Sequence, residues 1–156
     1  MPTIGRSVAS LRIMGDDLAP DEISHLLGCA ATKSQTKGQL FRSGASGRER
    51  IAKFGMWMLE VAELSPSDPD EQVAELLSKL SPDLGVWKQI TGRYQADVFF
   101  GMFMAEWNEG FSLSPHTCIA LGSRGIEVGF DIYGPDNEEV QPDDAENSGQ
   151  CTRFGA

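Results

Sequence analysis

"YQADVFFGMFMAEW", Tyr94–Trp107, is the most apolar stretch of this 156-residue chain. Period-two alternation puts Tyr94, Ala96, Val98, Phe100, Met102 and Met104 on one face of a strand, and Phe99 and Phe103 on the other. A strand at a solvated face carries large apolar residues on one side only. Having them on both predicts a central strand, covered above and below. The remainder of the chain must then supply neighbours on either side and something over each face.

Downstream lies "GFSLSPHTCIAL", Gly110–Leu121. Ser114 is a good helix cap, and Pro115 takes a first helical position, where its missing N–H costs nothing. Ile119 and Leu121 offer apolar contacts before Gly122 closes the helix. "GIEVGFDIY", Gly125–Tyr133, then alternates Ile126, Val128, Phe130 and Ile132 with Glu127, Gly129 and Asp131, which predicts a half-buried strand. Upstream, "SVASLRIM" sets Ala9, Leu11 and Ile13 on one strand face. It leads into "GDDLAPDEISHL", Gly15–Leu26. That segment repeats the Gly-x-x-Leu-(Ala/Ser)-Pro opening, with Ile23, Leu26 and Leu27 as its stripe and Gly28 as a left-handed cap. After a long polar loop, "KFGMWMLEVAEL" reads as a strand. The chain thus holds two strand–helix–strand halves of similar plan.

Two helices separate them. Asp68-Pro69-Asp70-Glu71 has capping-box spacing ahead of Val73, Leu76, Leu77 and Leu80. Ser81-Pro82 restarts the pattern over Leu84, Trp87 and Ile90. The expected fold is therefore α+β: a four-stranded sheet from two βαβ halves on a ferredoxin-like plan, with two helices inserted between the halves. Residues 1–134 form the single domain. The segment 135–156 carries six acids and one base and little apolar surface, and is expected to be a disordered tail whose removal leaves the fold intact. The second face of the central strand is to be covered by the inserted helices or by a second subunit in a homodimer.

Net charge narrows the function. The chain carries −10 in total, whereas Lys33–Lys53 holds six bases and one acid. A body of that sign lacks the basic footprint that nucleic acid requires, and the basic segment reads as a solvated loop. No apolar run reaches the ~20 residues of a membrane span, and the N-terminus lacks a secretory signal's apolar core. Three cysteines in no disulfide framework point to a cytoplasmic protein with reduced thiols. Cys118, aligned with Ile23 in the repeat, is expected to be buried, and Cys151 in the tail to be reactive.

The motif order "LRIMGDDLAPDEISHLLG", a Lys37-Gly38 loop, "GMWMLEV", "EQVAELLSKL", the aromatic strand, "SLSP" and "GIEVGFDIY" resembles a bacterial family, domain of unknown function DUF4279. The resemblance spans Val8 to Tyr133, with Gly28, Gly38, Trp57, Leu113, Ser114, Pro115 and Tyr133 at matching positions. It implies a small bacterial α+β domain and brings no catalytic residues.

Candidate chemistry is sparse. His25 and Cys29 have the spacing of two metal ligands on one helical face, but Gly28 interrupts that face and no second pair completes a site. Asp97 and Asp131 lie on strands as candidate paired carboxylates, with exposed sheet-edge acids the simpler account. "SGASGR" lacks the Gly-Lys-Ser/Thr ending of a phosphate loop. No metal, cofactor or catalytic set is expected. Two functions remain ahead of an enzyme. One is a non-catalytic protein-binding module, such as an immunity-type protein neutralising a basic toxin through Asp16, Asp17, Asp21 and Glu22, or through Asp70 and Glu75. The other is a ligand-binding regulatory domain with a pocket at Lys37, Gly55 and Trp57, beside the basic loop 33–53.

Overall fold

The computed structural model describes residues 2–136. Expectations for the tail beyond 136, including Cys151, lie outside the described residues. The elements in chain order are β1 (Arg6–Gly15), α1 (Pro20–Leu27), β2 (Lys33–Gln35), β3 (Leu40–Arg42), β4 (Glu49–Ile51), β5 (Gly55–Glu60), α2 (Pro69–Ser78), α3 (Leu84–Thr91), β6 (Gln95–Phe103), α4 (Pro115–Gly122) and β7 (Glu127–Tyr133). The fold is α+β. Its main sheet is mixed and five-stranded, in the order β2-β5-β1-β6-β7, and a separate two-stranded hairpin pairs β3 with β4.

The two halves are not equivalent, which corrects the four-stranded plan. β6-α4-β7 is a βαβ unit whose strands pair directly in parallel. In the first half, β1 and β5 pair antiparallel, with Ile13 opposite Trp57. The strand that returns parallel to β1 after α1 is the three-residue β2, held at the sheet edge by β5. The physical reason is burial. Gly55–Glu60 places Trp57 and Leu59 in the core and takes the interior slot, while polar Lys-Ser-Gln is left at the rim. The basic loop is also more ordered than expected, since Leu40–Arg42 and Glu49–Ile51 close an exposed hairpin.

One sheet face carries the core. Leu11, Ile13, Trp57, Val98 and Phe100 meet Ile23, Leu27, Leu76, Trp87 and Ile90 from the helices. Gly55 is needed where it stands, because a Cβ there would lie 2.6 Å from the Leu18 carbonyl. Gly28 ends α1 at φ 71°, the left-handed conformation foreseen for it. α3 is capped by Asp83, whose side chain accepts from Gly85 N–H, two residues later than Ser81-Pro82 suggested.

The opposite face bears Phe99 and Phe103 as expected, but their cover comes from β1 itself. Arg12 lies across from Asp97 and grips it with two hydrogen bonds, 2.8 and 2.6 Å, with its guanidinium 4.4 Å above the Phe99 ring. Arg6 sits 3.7 Å over Phe103, which stacks on Tyr133 at 4.9 Å. Planar guanidiniums satisfy both needs at once: an apolar face toward the ring and donors toward carboxylate. The inserted helices pack on the core side of the sheet.

Candidate functional site

α2 is anchored from below by a buried polar network. Ser7 donates to Gln72 Oε1 at 2.7 Å, Gln72 Nε2 donates to the carbonyls of Ser7 and Ala62, and Ser67 donates to Ser7 Oγ. These bonds set which face of α2 meets β1. Asp68 caps the helix by accepting Glu71 N–H at 3.0 Å.

Beside it, α4 starts on the Ser114 hydroxyl, which accepts from Thr117 N–H at 3.2 Å. Asp70 joins the two helices, because its carboxylate accepts the Ser114 backbone N–H at 3.1 and 3.2 Å. Burial by itself would raise the Asp70 carboxyl. Hydrogen bonds from Thr117 and Ser114, with His116 near, outweigh it and hold the group below the ordinary carboxylate range. A depressed carboxylate contributes stability that is present above its unfolded value, about 4, and is lost as pH falls through its folded value. Acid titration of thermal stability is therefore expected to lower wild type more steeply between about pH 5 and 3 than Asp70→Asn, which lacks the titrating group.

Between α2 and α4 runs a groove of ≈ 810 Å³. Val73, Ala74 and Leu77 of α2 face Thr117, Ile119 and Ala120 of α4, with Pro82 and Leu84 closing one end. Ile119 is 70% exposed and Leu84 50% exposed, a high value for large apolar side chains within a groove. Charge is divided along its length. Asp70 and Glu71 stand at the helix starts, and Arg124 stands beyond the end of α4, where it donates to the Ala120 carbonyl at 2.8 Å. The Arg124 Nε is buried without a hydrogen-bond partner among the described residues.

The residues singled out in the sequence are distributed differently. Asp16 pairs with Lys37 at 3.0 Å, and Arg93 takes both Asp17 (3.6 Å) and Glu22 (3.0 Å), leaving Asp21 exposed beside them. Glu75 pairs with Lys79 within α2. Of the six acids only Asp70 lines the groove, and there it has a structural task. Trp57 is 0% exposed and donates through Nε1 to Ser24 Oγ at 2.9 Å; Gly55 is buried under Leu18. Lys37 alone of that trio faces solvent, so the three form no open pocket. Asp97 is engaged by Arg12 and Asp131 by the Tyr133 hydroxyl at 2.6 Å; they stand at different levels of the sheet and do not pair.

Cys118 is exposed, against expectation. α4 turns Thr117 and Leu121 inward, four residues apart, so Cys118 and Ile119 rotate outward. The same phase turns Ile119 into the groove. Ile119 and Leu121 are ~200° apart on a helix and cannot share one buried face. Among the described residues no cluster of His, Cys, Asp or Glu is placed to hold a metal, and no helix is long and apolar enough to cross a membrane.

Fold and groove together define a small α+β domain with a helix-covered core face, an arginine-roofed open face and an amphipathic groove between α2 and α4. The chain belongs to the family described as Domain of unknown function (DUF4279), whose model matches residues 4–135. No curated protein and no solved structure matches it.

Proposed function

We propose that the protein is a non-catalytic protein-binding module that receives an amphipathic, basic segment of a partner in the α2–α4 groove. The observation that carries this is the groove itself: apolar side chains of both helices lining it, Ile119 and Leu84 exposed along it, and the acids Asp70 and Glu71 at one end. An apolar helix face laid into such a groove gains by burial, and complementary charge at the rim sets orientation and encounter rate. The net charge of −10 favours basic partners throughout the approach. An immunity-type protein that blocks a basic toxin is the specific form proposed, acting in the cytoplasm of a bacterium. Asp21 and the surface around it contribute steering rather than contact, since their neighbours are held in internal ion pairs.

The test uses Ile119→Asp. The side chain is mostly in solvent, so folding stability should change by no more than about 0.5 kcal/mol. A partner captured by the immobilised full chain from its own cells should lose affinity by tenfold or more when a central apolar contact becomes a carboxylate. Raising salt should slow association more than it speeds dissociation. Capture that is indifferent to Ile119→Asp would move the partner site elsewhere.

A further inference from the structure

β7 is the last strand of the sheet, and its outer edge follows a fixed phase. Met104 N–H donates to the Tyr133 carbonyl at 3.0 Å, so the odd-numbered residues of β7 bond to β6. The N–H and C=O of Val128, Phe130 and Ile132 consequently point to the free edge, where no other described strand pairs with them. Such rows are templates for pairing, and proteins usually blunt them with shortness, Pro or Lys. The opposite edge, β2, is three residues long and includes Lys33. β7 is seven residues long and has no Pro, Lys or Arg; its two charges are the acids Glu127 and Asp131. It also leaves Phe130 37% and Ile132 50% exposed on one face.

We propose that β7 is a homodimer seam: its free edge pairs antiparallel with β7 of a second copy, across a two-fold axis at Phe130. The occupant follows from register. A two-fold axis perpendicular to the sheet keeps each face matched only if it passes through a residue. Centred on Gly129, it would set Glu127 against Asp131 twice. Centred on Asp131, it would set that carboxylate against itself. Centred on Phe130, all seven residues pair with no two acids directly opposite: Glu127 with Tyr133, Val128 with Ile132, Gly129 with Asp131, and Phe130 with itself. Val128, Phe130 and Ile132 are also the residues whose backbone groups face outward, so these become the hydrogen-bonded pairs. One strand seam buries less than the ~1,200 Å² of a standard interface, which places dissociation at roughly tens of micromolar or weaker. Two chains of charge −10 repel, so salt should tighten this association, opposite to its effect on a basic partner.

Sedimentation of the full chain from about 10 μM to 1 mM should show mass rising from 17.0 kDa toward twice that value. Gly129 supplies the discriminating variants. A Cβ there meets only the Phe99 ring, at 3.4 Å, so both substitutions should fold. Gly129→Lys would face Asp131 of the second copy and should tighten the dimer, and Gly129→Asp should weaken it, each by about three- to tenfold. Ile132→Pro, which removes an outward N–H and no β6 bond, should abolish it. Ile119→Asp should leave it unchanged, since the seam does not depend on the groove. The proposal is overturned by a monomer throughout the concentration range, or by Gly129 variants that shift in the same direction. It is equally overturned if truncation after Asp136 creates a dimer that the full chain does not form, because the chain's own tail would then cover the edge.

Discussion

Phe100→Ala is expected to lower the unfolding free energy by about 3–5 kcal/mol, measured by denaturant titration with unchanged slope. Phe100 is 0% exposed on a strand flanked by β1 and β7, and its ring stacks on Phe130 at 5.4 Å. Removing it opens a cavity that the sheet cannot collapse into, because both neighbouring strands are held by their ladders. Phe99→Ala makes the contrast on the same strand. Its ring is partly exposed and roofed by Arg12, so the loss should be nearer 1–2 kcal/mol. Equal costs would mean that a further layer covers the open face.

Trp57→Ala should have an effect of the same class, about 3–5 kcal/mol. The indole is fully enclosed between β5 and α1, and its N–H satisfies the Ser24 hydroxyl. Trp57→Phe separates the two contributions: it keeps much of the volume but leaves Ser24 without its donor, and should cost roughly 1–3 kcal/mol. Both variants act on folding. A ligand pocket at Lys37, Gly55 and Trp57 would instead predict a folded protein that has lost an anion, and native-like stability for Trp57→Ala would revive that pocket.

What could be read from the chain alone follows where one physical signal dominates. The two-sided apolar pattern of Tyr94–Trp107 identifies an interior strand, because only burial on both faces tolerates it. Pro20, Pro69 and Pro115 each open a helix, since proline at N1 is a local preference independent of tertiary context. β2 was illegible for the opposite reason. Lys33-Ser34-Gln35 has no alternation, and only the neighbouring β5 makes it a strand. The roof over Phe99 depends on Arg12 lying directly across from Asp97, a cross-strand relation between residues far apart in the chain. The groove turns on one helical phase: a reading that pairs Ile119 with Leu121 leaves no apolar residue to mark a site, whereas α4 buries Thr117 and Leu121 and turns Ile119 out. Asp70 reads from the sequence as a surface acid, yet its value lies in the Ser114 N–H it receives, and reversing its charge would disturb α4 before it disturbed a partner.

Hydrogen–deuterium exchange of the full chain, alone and with its captured partner, tests the groove most directly. New protection should appear on α2 and α4, in residues 70–78 and 115–124, and should vanish together with binding in Ile119→Asp. Protection confined to Asp16–Glu22 or to the β3–β4 hairpin, with α2 and α4 unchanged, would contradict the account.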